Sequence, residues 1–184
     1  MESPLTDDEL IARVKRDDRQ AFEALVRRFQ DVAFRTAWLI VRNEQDAEEA
    51  TQAAFVKAWQ AIDRFHAGSP FRPWLLRIVA NEAKNRRRTS LRHHAGVVEG
   101  ADMTILPAAD SSPEQTAMAS EQSAWLVSHI NRLGERDRMV IWCCYALDLS
   151  EAEIATVLGC ARGTVKSRLH RAIGRLRTHL EEAL

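Results

Sequence analysis

The chain has 184 residues, with 26 Lys and Arg against 26 Asp and Glu, so its formal net charge is zero at neutral pH. That balance excludes a protein that coats nucleic acid through bulk charge, and 46% hydrophobic with 28% charged residues excludes a disordered chain. Few Gly and Pro, scarce β-branched runs and a composition rich in Ala, Leu, Arg and Glu favour helix. Met1 to Leu10 lacks the basic and apolar regions of a signal peptide. No apolar stretch approaches a membrane span, so no membrane insertion is expected. Cys143, Cys144 and Cys160 are odd in number and form no C-x-x-C motif. They point to a reducing cytoplasm and to thiols that act as small apolar groups, and no metal site is expected.

Taken in chain order, Thr6-Asp7-Asp8-Glu9 is a capping box that predicts a helix to about Arg16. Asp18 caps a second helix carrying Phe22, Leu25, Val26, Phe29, Val32, Ala33, Ala37 and Ile40 at three-and-four spacing. Asn43 caps a third, with Ala47, Ala50, Ala54, Phe55, Trp59, Ile62 and Phe65 as its stripe. Ser69 and Pro70 suit the N-cap and first position of a fourth helix. That helix carries Trp74, Leu75, Ile78 and Val79 and ends in Arg86-Arg87-Arg88. These four helices predict one domain over residues 1–90.

Periodicity fails from Leu91 to Ser112, where Gly96, Gly100, Pro107 and Asp110 read as a flexible, net acidic linker over 91–112. Ser112-Pro113 restarts helix, and a second domain is predicted over 113–184. It holds one helix to about Leu133, another over Arg136 to Leu147, and a helix-turn-helix. The fold class is therefore all-α, two small helical domains joined by a linker.

Ser150-Glu151-Ala152-Glu153 is a second capping box. Ile154, Ala155 and Leu158 face inward, Gly159 supplies a left-handed stop, and Val165, Leu169, Ile173 and Leu176 line the next helix. No acid occurs between Glu153 and Glu181, while Arg162, Lys166, Arg168, Arg171, Arg175 and Arg177 do. The outward set is Arg162, Thr164, Lys166, Ser167, His170 and Arg171. A small residue at the crossing, Gly at the turn and a β-branched plug beneath a basic face point to a helix that enters a major groove. Arg and Lys there suit guanine acceptors, and Thr and Ser suit phosphates or base edges. Arg175 and Arg177 lie further along and touch phosphate or nothing.

The stretch from Gly163 to Ala172, preceded by Leu149-Ser150 and Glu153-Ile154-Ala155, resembles region 4 of sigma-70-type RNA polymerase sigma factors. Asp46 to Trp59 resembles their region 2.2. Phe65, Ser69-Pro70-Phe71, Trp74-Leu75, Arg77-Ile78, Asn81 and Ala83 resemble regions 2.3 and 2.4. With regions 2 and 4 alone, the chain is similar to the extracytoplasmic-function (ECF) group, and the resemblance spans nearly its whole length.

The resemblance implies a subunit that binds core RNA polymerase, through its β′ and β subunits, and directs it to promoter DNA. Asp46, Glu48, Glu49, Gln52 and Trp59 would contact the polymerase, with Phe55 either an anchor or core. Asn81, with Lys84, Asn85 and Arg88, would engage the opened minus-10 element, beside a base-capturing loop over Phe65 to Phe71. The Arg86 to Arg88 run also suits a helix C-terminus through its dipole. The region 4 set would read the minus-35 element. Where the family carries an acid after Gln52, this chain has Ala53, which is expected to weaken polymerase binding. Thr51 beside it, read as solvent-facing, is a candidate phosphosite. An anti-sigma factor or a regulatory Ser/Thr kinase is the expected regulator.

The chain shows no nucleophile–base pair, carboxylate pair, P-loop or HExxH motif, so no catalysis and no cofactor are expected. A stand-alone helix-turn-helix regulator is the alternative. It would share the C-terminal motif but would have no need of Asp46 to Trp59.

Overall fold

The computed structural model describes residues 5–93 and 125–183. These residues contain no strand and belong to two compact units that part between residues 99 and 100. Most of the expected linker, and the restart at Ser112-Pro113, lies outside the described residues.

Four helices build the first unit: α1 (Asp7–Val14), α2 (Arg19–Val41), α3 (Glu44–Ala61) and α4 (Phe71–His93). Local chemistry sets most of their starts. The Thr6 backbone N–H donates to Glu9 Oε2 at 2.7 Å, and the Glu9 N–H donates to Thr6 Oγ1 at 3.3 Å. The Thr6 N–H, and after it the Thr6 hydroxyl, which donates to the same carboxylate oxygen at 3.0 Å, hold the Glu9 carboxyl below its ordinary pKa. Asp18 accepts the Ala21 N–H at 3.1 Å, and Asn43 accepts that of Asp46 at 2.9 Å. Each cap satisfies a donor the helix cannot satisfy itself. Helix α4 starts at Phe71, just after the expected Pro70, and continues to His93, past the expected end at Arg88. No Gly or Pro interrupts it after Pro73, and the Thr89 hydroxyl donates back to the Asn85 carbonyl at 3.2 Å. The first three residues read as linker are therefore helical.

Helix α2 packs against α1, α3 and α4. That central place explains why its C-terminal half is buried all round, from Thr36 to Ile40 without a break. Leu25, Trp38, Leu39, Leu75, Leu76 and Val79 complete the core. Each such side chain contributes about 1.5–3 kcal/mol through burial. An aromatic cluster closes one end: the Phe65 ring lies 5.7 Å from Phe71 and 5.0 Å from Trp74, and Phe29 lies 5.4 Å from Phe71.

The second unit holds α5 (125–132), α6 (Glu135–Ile141), α7 (Glu151–Leu158) and α8 (Arg162–Glu181). The helix expected to run to Leu147 is α-helical only to Ile141. It then widens into a π-turn over Trp142–Ala146, where the Leu147 N–H reaches the Trp142 carbonyl at 3.1 Å. Met139, Val140, Cys143, Ile154, Val157, Val165 and Ala172 form the core. Helix α8 is tied to α6 by an ion pair between Arg175 and the buried Asp137. Arg175 is thus engaged in an ion pair within the unit, although its side chain stays 58% exposed. Arg175→Ala strands the Asp137 carboxylate. It is expected to cost about 1–3 kcal/mol of stability in urea unfolding of the full chain and to leave the outward face of α8 unchanged.

Candidate nucleic-acid interface

The helix-turn-helix is built from local bonds. The Ser150 N–H donates to Glu153 Oε2 at 2.9 Å, and the Glu153 N–H donates to Ser150 Oγ at 3.4 Å, which starts α7. Gly159 ends it at φ 62°, ψ 42°, a conformation that favours glycine. The Cys160 N–H returns to the Ala155 carbonyl at 3.1 Å. Helix α8 begins at Arg162, three residues after Gly159. Val165 is fully buried beneath α8 and serves as the expected plug. Leu169, Ile173 and Leu176 are only half-buried, and Ala172 is the second fully buried anchor.

Arg162, Lys166, Ser167, His170 and Arg171 are exposed on α8, and Thr164 is half-buried. The structure brings this set together on the first two and a half turns of one helix. Arg171 Nε donates to the Ser167 carbonyl at 3.2 Å, and Arg162 faces Glu151 at 3.6 Å across the turn. Both partners of that pair are well exposed, so it is weak and water-screened.

In the first unit, Asn81, Asn85 and Arg88 are exposed on α4, and Lys84 is half-buried beside them. Their spacing, with Arg77 one turn earlier, places them on one stripe of the helix. Arg77, exposed four residues before Asn81, was not among the expected DNA contacts. Arg88 Nη2 donates to Asn85 Oδ1 at 2.6 Å. The loop before α4 is pinned at both ends by the buried Phe65 and Phe71, and His66 to Pro70 are exposed between them. Gly68 turns there at φ 82°, a region costly for other residues.

Helix α3 presents Glu48, Gln52 and Val56 in one exposed row, four residues apart. Val56 is 57% exposed and was not singled out by the sequence. Asp46 and Glu49 are half-buried, and both are held by Arg86 of α4, with Arg86 Nε 2.9 Å from Asp46 Oδ1. Phe55 is 8% exposed, which settles it as core. Trp59 is half-buried with its ring edge-on to Phe22 at 4.9 Å, so most of this expected polymerase contact is spent on α2–α3 packing.

Thr51 requires correction. It is not solvent-facing: it is 8% exposed, and its hydroxyl donates to the Ala47 carbonyl at 2.7 Å. The reason is periodic. Thr51 lies four residues after Ala47 and four before Phe55, in the middle of the buried stripe. Burial of this hydroxyl and its bond inside the helix argue against Thr51 as a phosphosite.

All three cysteines are free thiols. Burial, with Asp148 nearby, raises the Cys144 thiol pKa and disfavours its thiolate. Among the described residues, no helix is long and apolar enough to cross a membrane.

Comparison with known proteins covers both units. Sigma-70 region 2 matches residues 25–93, and Sigma-70, region 4 matches residues 123–176. The ECF RNA polymerase sigma-E factor of Escherichia coli (strain K12) is 36% identical over 180 residues, covering 94% of this chain and 93% of the relative. The RNA polymerase sigma-H factor of Pseudomonas aeruginosa is 33% identical over 172 residues, covering 90% and 89%. Among solved structures, CnrH in complex with the cytosolic domain of CnrY aligns with a TM-score of 0.69 and 27% identity over 96% of this chain and 97% of that one. The sigma factor RpoE of Bartonella quintana, in complex with the anti-sigma factor NepR, aligns with a TM-score of 0.68 and 26% identity over 87% and 96%. A stand-alone helix-turn-helix regulator would account for the second unit and leave the first unexplained. The chain belongs to the sigma-70 family, in its ECF group, and is an RNA polymerase sigma factor that binds core polymerase and directs promoter-specific initiation.

Proposed function

We propose that the first unit, over residues 1–90, docks on core polymerase through α3 and opens the minus-10 element with α4, while the second, over 113–184, reads the minus-35 element with α8. The observation that carries this division is the exposed stripe of α4. An asparagine, a second asparagine and an arginine lie along it at Asn81, Asn85 and Arg88. An amide pairs with the edge of an unstacked base, and a cation follows the strand beside it. The protein acts as a specificity subunit in the cytoplasm and leaves the chemistry to the polymerase. Because the Bartonella quintana relative was solved with an anti-sigma factor, the regulator we favour is a protein of that kind. A kinase acting on Thr51 loses its basis with the burial of that hydroxyl.

Asn81→Ala is expected to impair promoter opening more than duplex binding, because a contact to a flipped base exists only after unstacking. Permanganate reactivity of holoenzyme on a duplex promoter and on a pre-melted bubble tests this. The expected loss is about ten- to hundredfold on the duplex, as for one lost base contact, and is smaller on the bubble. An equal loss on both templates removes Asn81 from the opening step.

A further inference from the structure

Two of the acids assigned to polymerase docking are already occupied. Arg86 spans from α4 to α3 and grips Asp46 through Nε at 2.9 Å and Glu49 through Nη2. The Asp46 carboxylate, as the main hydrogen-bond partner, raises the pKa of the guanidinium, and Glu49 adds to it. Yet the Arg86 side chain is 40% exposed, so it is held by charge and not sealed in by packing. Beside it an open groove of about 480 Å³ lies between α3 and α4, with Ala50 and Ala53 in its wall. These two methyl groups leave space next to the carboxylates for a side chain from outside. On α4, Arg86 is flanked by Asn85 and stands two residues before Arg88, next to the proposed strand-binding stripe.

From this geometry we infer that Arg86 is an internal competitor for the docking acids: a cationic side chain of the polymerase enters the groove, takes over Asp46 and Glu49, and releases Arg86 to the promoter phosphates. The inference rests on the docking role proposed for Asp46 and Glu49. The exchange replaces one guanidinium–carboxylate contact with another, so its cost is small. The released cation has nowhere better to go than the phosphates beside Asn85 and Arg88. Core binding would thereby switch on a strand contact that the free protein withholds. Lys57 also bridges α3 to α4, but it pairs with Glu82 at 2.6 Å and leaves Asp46 and Glu49 to Arg86.

The test uses the full chain with purified core polymerase and compares Arg86→Gln, Arg86→Lys and the double variant Asp46→Asn/Glu49→Gln. Circular dichroism melts confirm that each is folded. A competitor gives a distinctive sign: Arg86→Gln binds core more tightly than wild type, by roughly two- to fivefold for an exposed pair, and the gain fades at high salt. Arg86→Lys keeps the charge but not the two-pronged grip and falls between the two. Arg86→Gln holoenzyme then shows a shallower salt dependence of promoter binding, its log–log slope reduced by about one for a lost phosphate contact. Weaker or unchanged core binding by Arg86→Gln overturns the competitor role, and an unchanged salt slope overturns the release to DNA. If Asp46→Asn/Glu49→Gln binds core as well as wild type does, the docking reading itself fails and the exchange falls with it. If that variant binds weakly while Arg86→Gln does not gain, docking stands and only the exchange is lost.

Discussion

Thr51→Glu is expected to destabilise the first unit severely and to reduce polymerase binding as a consequence. Thr51 is 8% exposed and faces the stripe that α3 buries. The substitution adds two heavy atoms and a carboxylate to a packed, buried site. Overpacking alone costs about 1–3 kcal/mol, and an uncompensated buried charge about 3–5 kcal/mol. Together these approach the whole stability of a small domain, about 5–15 kcal/mol. Thr51→Val is the control. It keeps the shape and loses one hydroxyl bond to a carbonyl already inside the helix, so it should stay within about 1 kcal/mol of wild type. Urea unfolding of both variants, with core affinity measured in parallel, checks this. A Thr51→Glu protein as stable as wild type would mean that α3 presents position 51 to solvent. Loss of function in this variant therefore reports unfolding and is no sign of regulation by phosphate.

Lys166→Ala combined with Arg171→Ala is expected to abolish minus-35 recognition while leaving core binding intact. Both side chains are exposed on α8, five residues apart, about 7.5 Å along the axis. Neither contributes to the Val165 and Ala172 anchors, so the helix should survive. Each lost base or phosphate contact costs about 1–3 kcal/mol, and the two are far enough apart to add approximately. Promoter affinity of the holoenzyme should therefore fall by about 30-fold or more, as measured by footprinting at fixed salt. Native-gel assembly with core polymerase should be unchanged. Undiminished promoter affinity would remove α8 from the interface.

These results depend unequally on what the sequence makes legible. The caps at Thr6, Asp18, Asn43 and Ser150 are short-range hydrogen bonds, each written into three or four residues, and they appear where the spacing puts them. The turn at Gly159 is equally local. Thr51 was legible too: its distance of four from both Ala47 and Phe55 marks a buried position, and its polar side chain hid that. Trp59 and Phe55 needed the third dimension, since Phe22 on another helix decides their burial. The Arg86–Asp46 and Arg175–Asp137 pairs join residues 40 and 38 apart, and no periodicity connects them. The widening at Trp142 leaves no signal in a run that reads as plain helix.

The claim that carries the rest is initiation by this chain with core polymerase. Genomic DNA transcribed by purified core enzyme, with and without the chain, followed by mapping of RNA 5′ ends, measures it directly. The expected result is a set of discrete start sites that appear only when the chain is present, preceded by shared minus-35 and minus-10 sequences. The start sites should vanish with the Lys166/Arg171 double variant. If the chain bound duplex DNA by itself, failed to assemble with core and left the 5′ ends unchanged, the initiation claim would be contradicted.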